Sequence, residues 1–158
     1  MNKPAKIVAE PPTTYPDYHQ DGYGWAMAQA AIIRAGQLGS IDWDNVAEEI
    51  ESVGKQERSE YVSHMIRVLL LMIKWNVQPE RRGMSWWLSI MNGRLDAERV
   101  LARNPSLKPL LEDLHVEALQ YAKRKAVDET GLDEAAIEAI VISSNEAISL
   151  KIARPESN

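Results

Sequence analysis

Cysteine is absent from the 158-residue chain, which excludes disulfides, thiolate metal sites and a cysteine nucleophile, and fits a reducing compartment. Histidine is scarce, with three residues in all, so a histidine-built metal site has almost no choice of ligands. Long apolar runs are missing too. The longest, residues 68–73, is far short of the roughly 20 residues that a bilayer span needs. Residues 1–14 carry Lys3, Pro4, Lys6, Pro11 and Pro12 without an apolar stretch, so no secretory signal is expected. There is no alternating β-branched run, no internal repeat, no glycine-rich phosphate loop, no nucleophile elbow and no His-Glu zinc motif. These absences predict a cytoplasmic protein with no membrane association, no bound metal and no cofactor, and leave the case for an enzyme thin.

What is present is ordinary globular material: 45% hydrophobic and 26% charged residues, with a net charge of −5. The charge is uneven. Residues 1–80 carry −4, residues 81–125 carry +4 and residues 126–158 carry −5. The basic middle is the one electrostatic hint of an anionic partner, although pairing between helices would give the same pattern.

Periodicity predicts an all-α, single-domain bundle of four to five main helices around one long central helix. Residues 1–16 are Pro-rich and aperiodic and read as a flexible tail, residues 17–150 as the bundle, and residues 151–158 as a polar C-terminal tail. A first helix is expected over residues 21–35, with Trp25, Ala28 and Ile32 on one face and Gly36 beyond its end. Asp42 is placed to cap the second. At about 100° per residue, Trp43, Val46, Ala47, Ile50, Val53, Tyr61, Met65, Val68, Met72 and Trp75 form one stripe. The stripe predicts a single helix over residues 43–76, about 50 Å long, with Gly54 marking close packing or a bend. A third helix, capped by Ser85, is expected from residue 86 to 103. It is apolar on two sides, Trp86, Ile90, Ala97 and Leu101 on one and Leu88, Leu95 and Ala102 on the other. Ser106 is expected to cap a fourth helix reaching residue 130, whose stripe includes Leu107, Leu110, Leu114, Ala118 and Tyr121. Gly131 closes it, Asp133 caps a short helix, and one further turn follows Ser143.

The string Asp21…Trp25…Arg34-Ala35-Gly36, Glu48-Glu49-Ile50-Glu51, Gly54, Glu57-Arg58, Lys74-Trp75, Gln78-Pro79-Glu80-Arg81-Arg82, Ser85-Trp86 and Pro105-Ser106-Leu107 resembles the bacterial domain-of-unknown-function 29 family. The resemblance runs from about residue 21 to 132 and implies a helical bundle with no known activity. Leu71 stands where many members of that family have His, which implies that a metal-binding or catalytic His at that place is not essential here.

Three constellations could carry chemistry. Glu112 and His115 form a Glu-x-x-His pair, and Glu48 and Glu51 share its spacing, but a bundle metal site needs two such pairs facing inward. A solvated Glu112 with a flanking His115 is the expected reading. Glu57, Tyr61 and His64 lie close to the apolar stripe and are expected to form a buried polar layer. There Glu57 needs an arginine, Arg81 or Arg82 with Arg94 as the fallback. The alternative for this layer is an acid–base pair in a pocket. Lys74, Trp75, Gln78, Arg81, Arg82, Ser85 and Trp86 form a basic–aromatic corner that could bind a phosphate or a nucleic acid, although the acidic net charge disfavours nucleic acid. Trp87 and Met91, left over beyond the core face of the third helix, are the candidate interface. The favoured function is a non-enzymatic interaction module that binds a protein partner or a second copy of itself, with a homo-oligomer expected.

Overall fold

A computed structural model describes residues 14–149 and 152–155. The expected tail at 1–16 falls largely outside them, as do residue 151 and residues 156–158 of the expected tail at 151–158. Six helices are found among the described residues: α1 (Gly22–Arg34), α2 (Trp43–Val77), α3 (Met84–Arg103), α4 (Leu111–Thr130), α5 (Glu134–Glu138) and α6 (Ser144–Ile148). None of the described residues forms a strand, so the fold is all-α. No helix among them is long and apolar enough to cross a membrane.

Helix ends follow side-chain chemistry. Asp21 caps α1 by accepting a hydrogen bond from the Gly24 amide, and Gly36 turns the chain out at φ 72°. Gly131 closes α4 in the left-handed conformation at φ 66°, Asp133 caps α5, and Ser143 with Glu146 forms a reciprocal capping box on α6. Two expected caps are displaced. Ser85 lies inside α3, which starts at Met84 behind Gly83. Ser106 lies in a 3₁₀ segment, Pro105–Leu110, that precedes α4. Pro109 has no N–H to give to an α-helical ladder, so regular helix is delayed to Leu111.

The chain divides into two compact units, residues 1–54 and 55–158. Helix α2 continues through Gly54 without a break, and a Cβ built there would meet nothing within 4 Å. The glycine therefore does not mark close packing, and the single helix expected over these residues is unbroken there.

Unit 2 contains the large core. Val68, Leu69, Met72 and Ile73 of α2 pack with Ile90, Ala97 and Val100 of α3 and with Leu114, Ala118, Ala122 and Ala126 of α4, while Ile137, Ile142 and Ala147 complete the cluster. None of residues 68–73 is exposed, as a segment apolar on every side requires. At Gly93 a Cβ would stand 2.7 Å from Val68 Cγ2, so α3 crosses α2 there at a distance only glycine permits. Ion pairs give the directions. Arg58 forks onto Glu117 and Lys74 pairs with Glu129, so α2 and α4 run parallel. Glu57 meets Arg103 while Val68 meets Gly93, so α3 is antiparallel to α2.

Unit 1 consists of α1, the 3₁₀ turn Leu38–Ser40 and the first turns of α2. Trp25, Ala28, Ile32 and Ile41 are buried. The α2 stripe behaves differently here. Trp43, Ile50 and Val53, expected in the core, are exposed, as is Tyr121 on α4. Periodicity fixes which side chains share a face; it does not supply an element to cover that face.

Candidate functional site

The polar layer on α2 is only partly buried. Tyr61 is in the core, where burial raises its hydroxyl pKa. The Glu57 side chain is 33% exposed, and His64 is half-buried. The arginine partner of Glu57 is not Arg81, Arg82 or Arg94. Its Oε2 accepts from Asn104 Nδ2 at 2.5 Å and from Arg103 Nη2 at 3.2 Å, and these contacts hold its carboxyl below the usual range. The antiparallel register accounts for this, because it brings the C-terminal end of α3, and not the corner, alongside Glu57. His64 Nε2 lies 3.7 Å from Glu60 Oε1. Glu57 and His64 thus serve different partners, and neither lines the 270 Å³ cavity beside Tyr61, Met91 and Leu95.

The corner is knitted to its own fold. Lys74 pairs with Glu129 at 2.9 Å and stands 5.2 Å from the centre of the Trp86 ring. Arg82 donates through Nε to the Trp75 carbonyl at 2.6 Å and covers the Trp75 ring at 5.8 Å. Gln78 is half-buried. Arg81 and Ser85 are exposed.

The interface candidates are also largely covered. Trp87 donates its indole N–H to the Ile152 carbonyl at 3.1 Å, and Arg154 lies over its ring at 5.8 Å. Met91 is half-buried against the core. The exposed apolar side chains of α3 are instead Leu88 and Leu95.

His115 is buried rather than flanking. Its Nε2 sits 2.8 Å from the Ile142 carbonyl. A carbonyl only accepts, so Nε2 carries the proton and has no lone pair for a metal. Glu112 accepts from the Ser144 hydroxyl. Among the described residues no three His, Asp or Glu side chains are placed to hold a metal ion.

Two polar side chains prove central, Gln29 and Arg94, the second in a role other than the expected fallback partner of Glu57. Arg94 is buried, and burial lowers its pKa. Its Nε donates to the Ala147 carbonyl at 2.7 Å and its Nη2 to the Glu146 carbonyl at 3.0 Å, so it fastens the C-terminal carbonyls of α6, where a cation suits the helix dipole. Gln29 is buried in unit 1 and accepts the Asp42 amide at 2.9 Å. Asp42 in turn accepts Asn45 Nδ2 at 2.8 Å and the Trp25 indole N–H at 3.0 Å. Those contacts, the Asn45 side chain first, hold its carboxyl below the usual range. The signal for both was available: Arg94 is four residues after Ile90 and Gln29 four after Trp25, each on an apolar stripe.

Beside this network lies a groove of about 580 Å³ in unit 1. One wall is α1, with the small residues Gly22, Ala26 and Ala30 and then Ile33; the other is α2, with Val46, Ile50 and Val53. Ile33, Ile50 and Val53 are 45%, 68% and 64% exposed. Glu49 also lines the groove. It accepts the Tyr18 hydroxyl at 2.6 Å and so pushes the Tyr18 pKa up to about 12. A neutral donor leaves the Glu49 charge in place.

The family described as "Domain of unknown function DUF29" matches residues 18–150. No curated protein matches the chain, and no solved structure does.

Proposed function

The chain belongs to the DUF29 family, and from its geometry we propose that it is a non-enzymatic helical interaction module whose binding surface is the groove of unit 1. The observation that carries this reading is the exposure of Ile33, Ile50 and Val53 along one continuous groove. Contiguous aliphatic surface of this kind is uncommon on a chain without partners, because covering it releases about 25 cal/mol per Å². The side chains of the corner and of Glu57 support the same reading, since Glu57, Lys74 and Arg82 are spent on intramolecular contacts.

The absence of native cysteine makes a clean test available. Ile50→Cys and Leu88→Cys variants, each carrying a photo-crosslinker, are irradiated in cells that produce the protein. A discrete protein adduct from position 50, absent at position 88, is expected. Adducts from position 88 alone, or from neither position, would refute the assignment of the groove.

A further inference from the structure

We infer that the occupant of the unit 1 groove is an amphipathic helix of another protein, apolar on one face and rich in Lys or Arg beside it; this rests on the interaction reading above. Shape and charge both support it. The lining positions on α2, residues 46, 49, 50 and 53, and those on α1, residues 22, 25, 26, 29, 30 and 33, follow the spacing by which one helix presents a stripe to another. The α1 wall is low, because Gly22, Ala26 and Ala30 carry little or no side chain, and the α2 wall is tall and aliphatic. A third helix laid between them meets small residues on one side, which allow close approach, and Val46, Ile50 and Val53 on the other.

The charge of the chain is concentrated here. Residues 14–54 hold seven carboxylates against one guanidinium, Arg34, a balance of −6, while residues 55–158 balance to zero. Glu49 stands in the groove itself. Asp44 and Glu48 are exposed on the outer side of α2, about one helix diameter, 10–12 Å, away. That separation is close to the Debye length of 8–10 Å at ordinary salt, so their field reaches the groove only partly screened. A second copy of the chain would bring −6 against −6 on this surface, and like charges facing each other oppose association. A helix with basic flanks gains from the same field.

The full-length chain is titrated, by fluorescence anisotropy, with a labelled four-turn peptide bearing Leu on one face and Lys on its flanks, and with a twin in which every Lys is Glu. At low salt the basic peptide is expected to bind at least about tenfold tighter than the acidic twin, and the gap to shrink as salt approaches ~0.5 M. Ile50→Glu with Val53→Glu should abolish binding. Both side chains are already exposed, so the fold survives, which circular dichroism verifies. Asp44→Lys with Glu48→Lys should weaken the basic peptide severalfold at low salt and leave the apolar contact intact.

Equal binding of the two peptides overturns the basic partner while the groove stands as an interaction surface. Dimers that dissociate in the Ile50/Val53 variant overturn it in favour of a second copy. A rise of about tenfold in peptide affinity on Lys3→Glu with Lys6→Glu shows the chain's own first residues in the groove and overturns it likewise. No binding and no self-association overturn it outright, and together with a lack of adducts at position 50 they overturn the interaction reading too.

Discussion

One chemical change, glycine to alanine, should have opposite signs at two places in this protein. At Gly93 a Cβ would sit 2.7 Å from Val68 Cγ2, which is fully buried. Val68 is β-branched and on a helix, where one χ1 rotamer dominates, so its methyl group cannot swing aside. Helix α3 must therefore move away from α2, and forcing extra volume into a packed core costs about 1–3 kcal/mol. The better helix propensity of alanine returns up to about 1 kcal/mol, leaving a net loss of up to about 2 kcal/mol. At Gly54 nothing lies within 4 Å of the new Cβ, so only the propensity term acts and the gain is about 0.5–1 kcal/mol. Because the substitutions are chemically identical, their effects on the unfolded chain largely cancel. Urea unfolding followed by helical circular dichroism gives the midpoints. Amide exchange at residues 68–73 reads unit 2 separately, in case the units do not unfold together. Stabilisation by Gly93→Ala comparable to that by Gly54→Ala would refute the close crossing of α2 and α3.

Arg94→Lys keeps the charge and loses the fork to the Glu146 and Ala147 carbonyls; a destabilisation of about 2–3 kcal/mol is expected, with amide protection lost first at residues 144–148, because bonds to charged groups are worth roughly 1.5–3 kcal/mol each. Asp42→Asn should destabilise unit 1, read by Trp25 emission, and should flatten its response to acid. A carboxylate whose pKa is lowered on folding stabilises above its unfolded pKa, and that contribution is lost as pH falls through the folded value. The opposite sign holds for Tyr18, raised to about 12: its contribution is present below the ordinary tyrosine pKa and lost as pH rises through the folded one. Nuclear magnetic resonance of the Tyr18 ring carbon should show Glu49→Gln moving its titration to lower pH, and an unmoved titration would contradict the contact.

Much of the architecture was legible because it rests on short-range rules. Asp21, Gly36, Gly131, Asp133 and Ser143 mark helix ends through backbone groups within a few residues of themselves. The all-round apolarity of residues 68–73 likewise names the centre of the core without knowledge of its neighbours. The partner of Glu57 was not legible, since choosing Arg103 over Arg81 requires the register of α3 against α2, and that is set by the Gly93–Val68 crossing. Trp87 looked free because the residues that cover it, Ile152 and Arg154, lie 65 and 67 positions further along. That long-range contact leaves Trp87 half-buried. The groove escaped for a related reason: Ile50 and Val53 repeat with the spacing of core residues, and a pattern of spacing is the same whether the face is covered or bare.

The Arg94 fork has a consequence for the order in which the chain can complete itself. The carbonyls it binds lie 52 and 53 residues later, on a five-residue helix too short to persist alone. During synthesis α2, α3 and α4 are all finished before those carbonyls exist, so until then the guanidinium lacks both of its carbonyl acceptors and keeps only the Met72 sulfur of α2. Its burial, and with it the final closure of that part of the core, waits for residues 146 and 147 to leave the ribosome. A chain halted before the last short helix lacks the two carbonyls that this buried cation bonds in the finished protein.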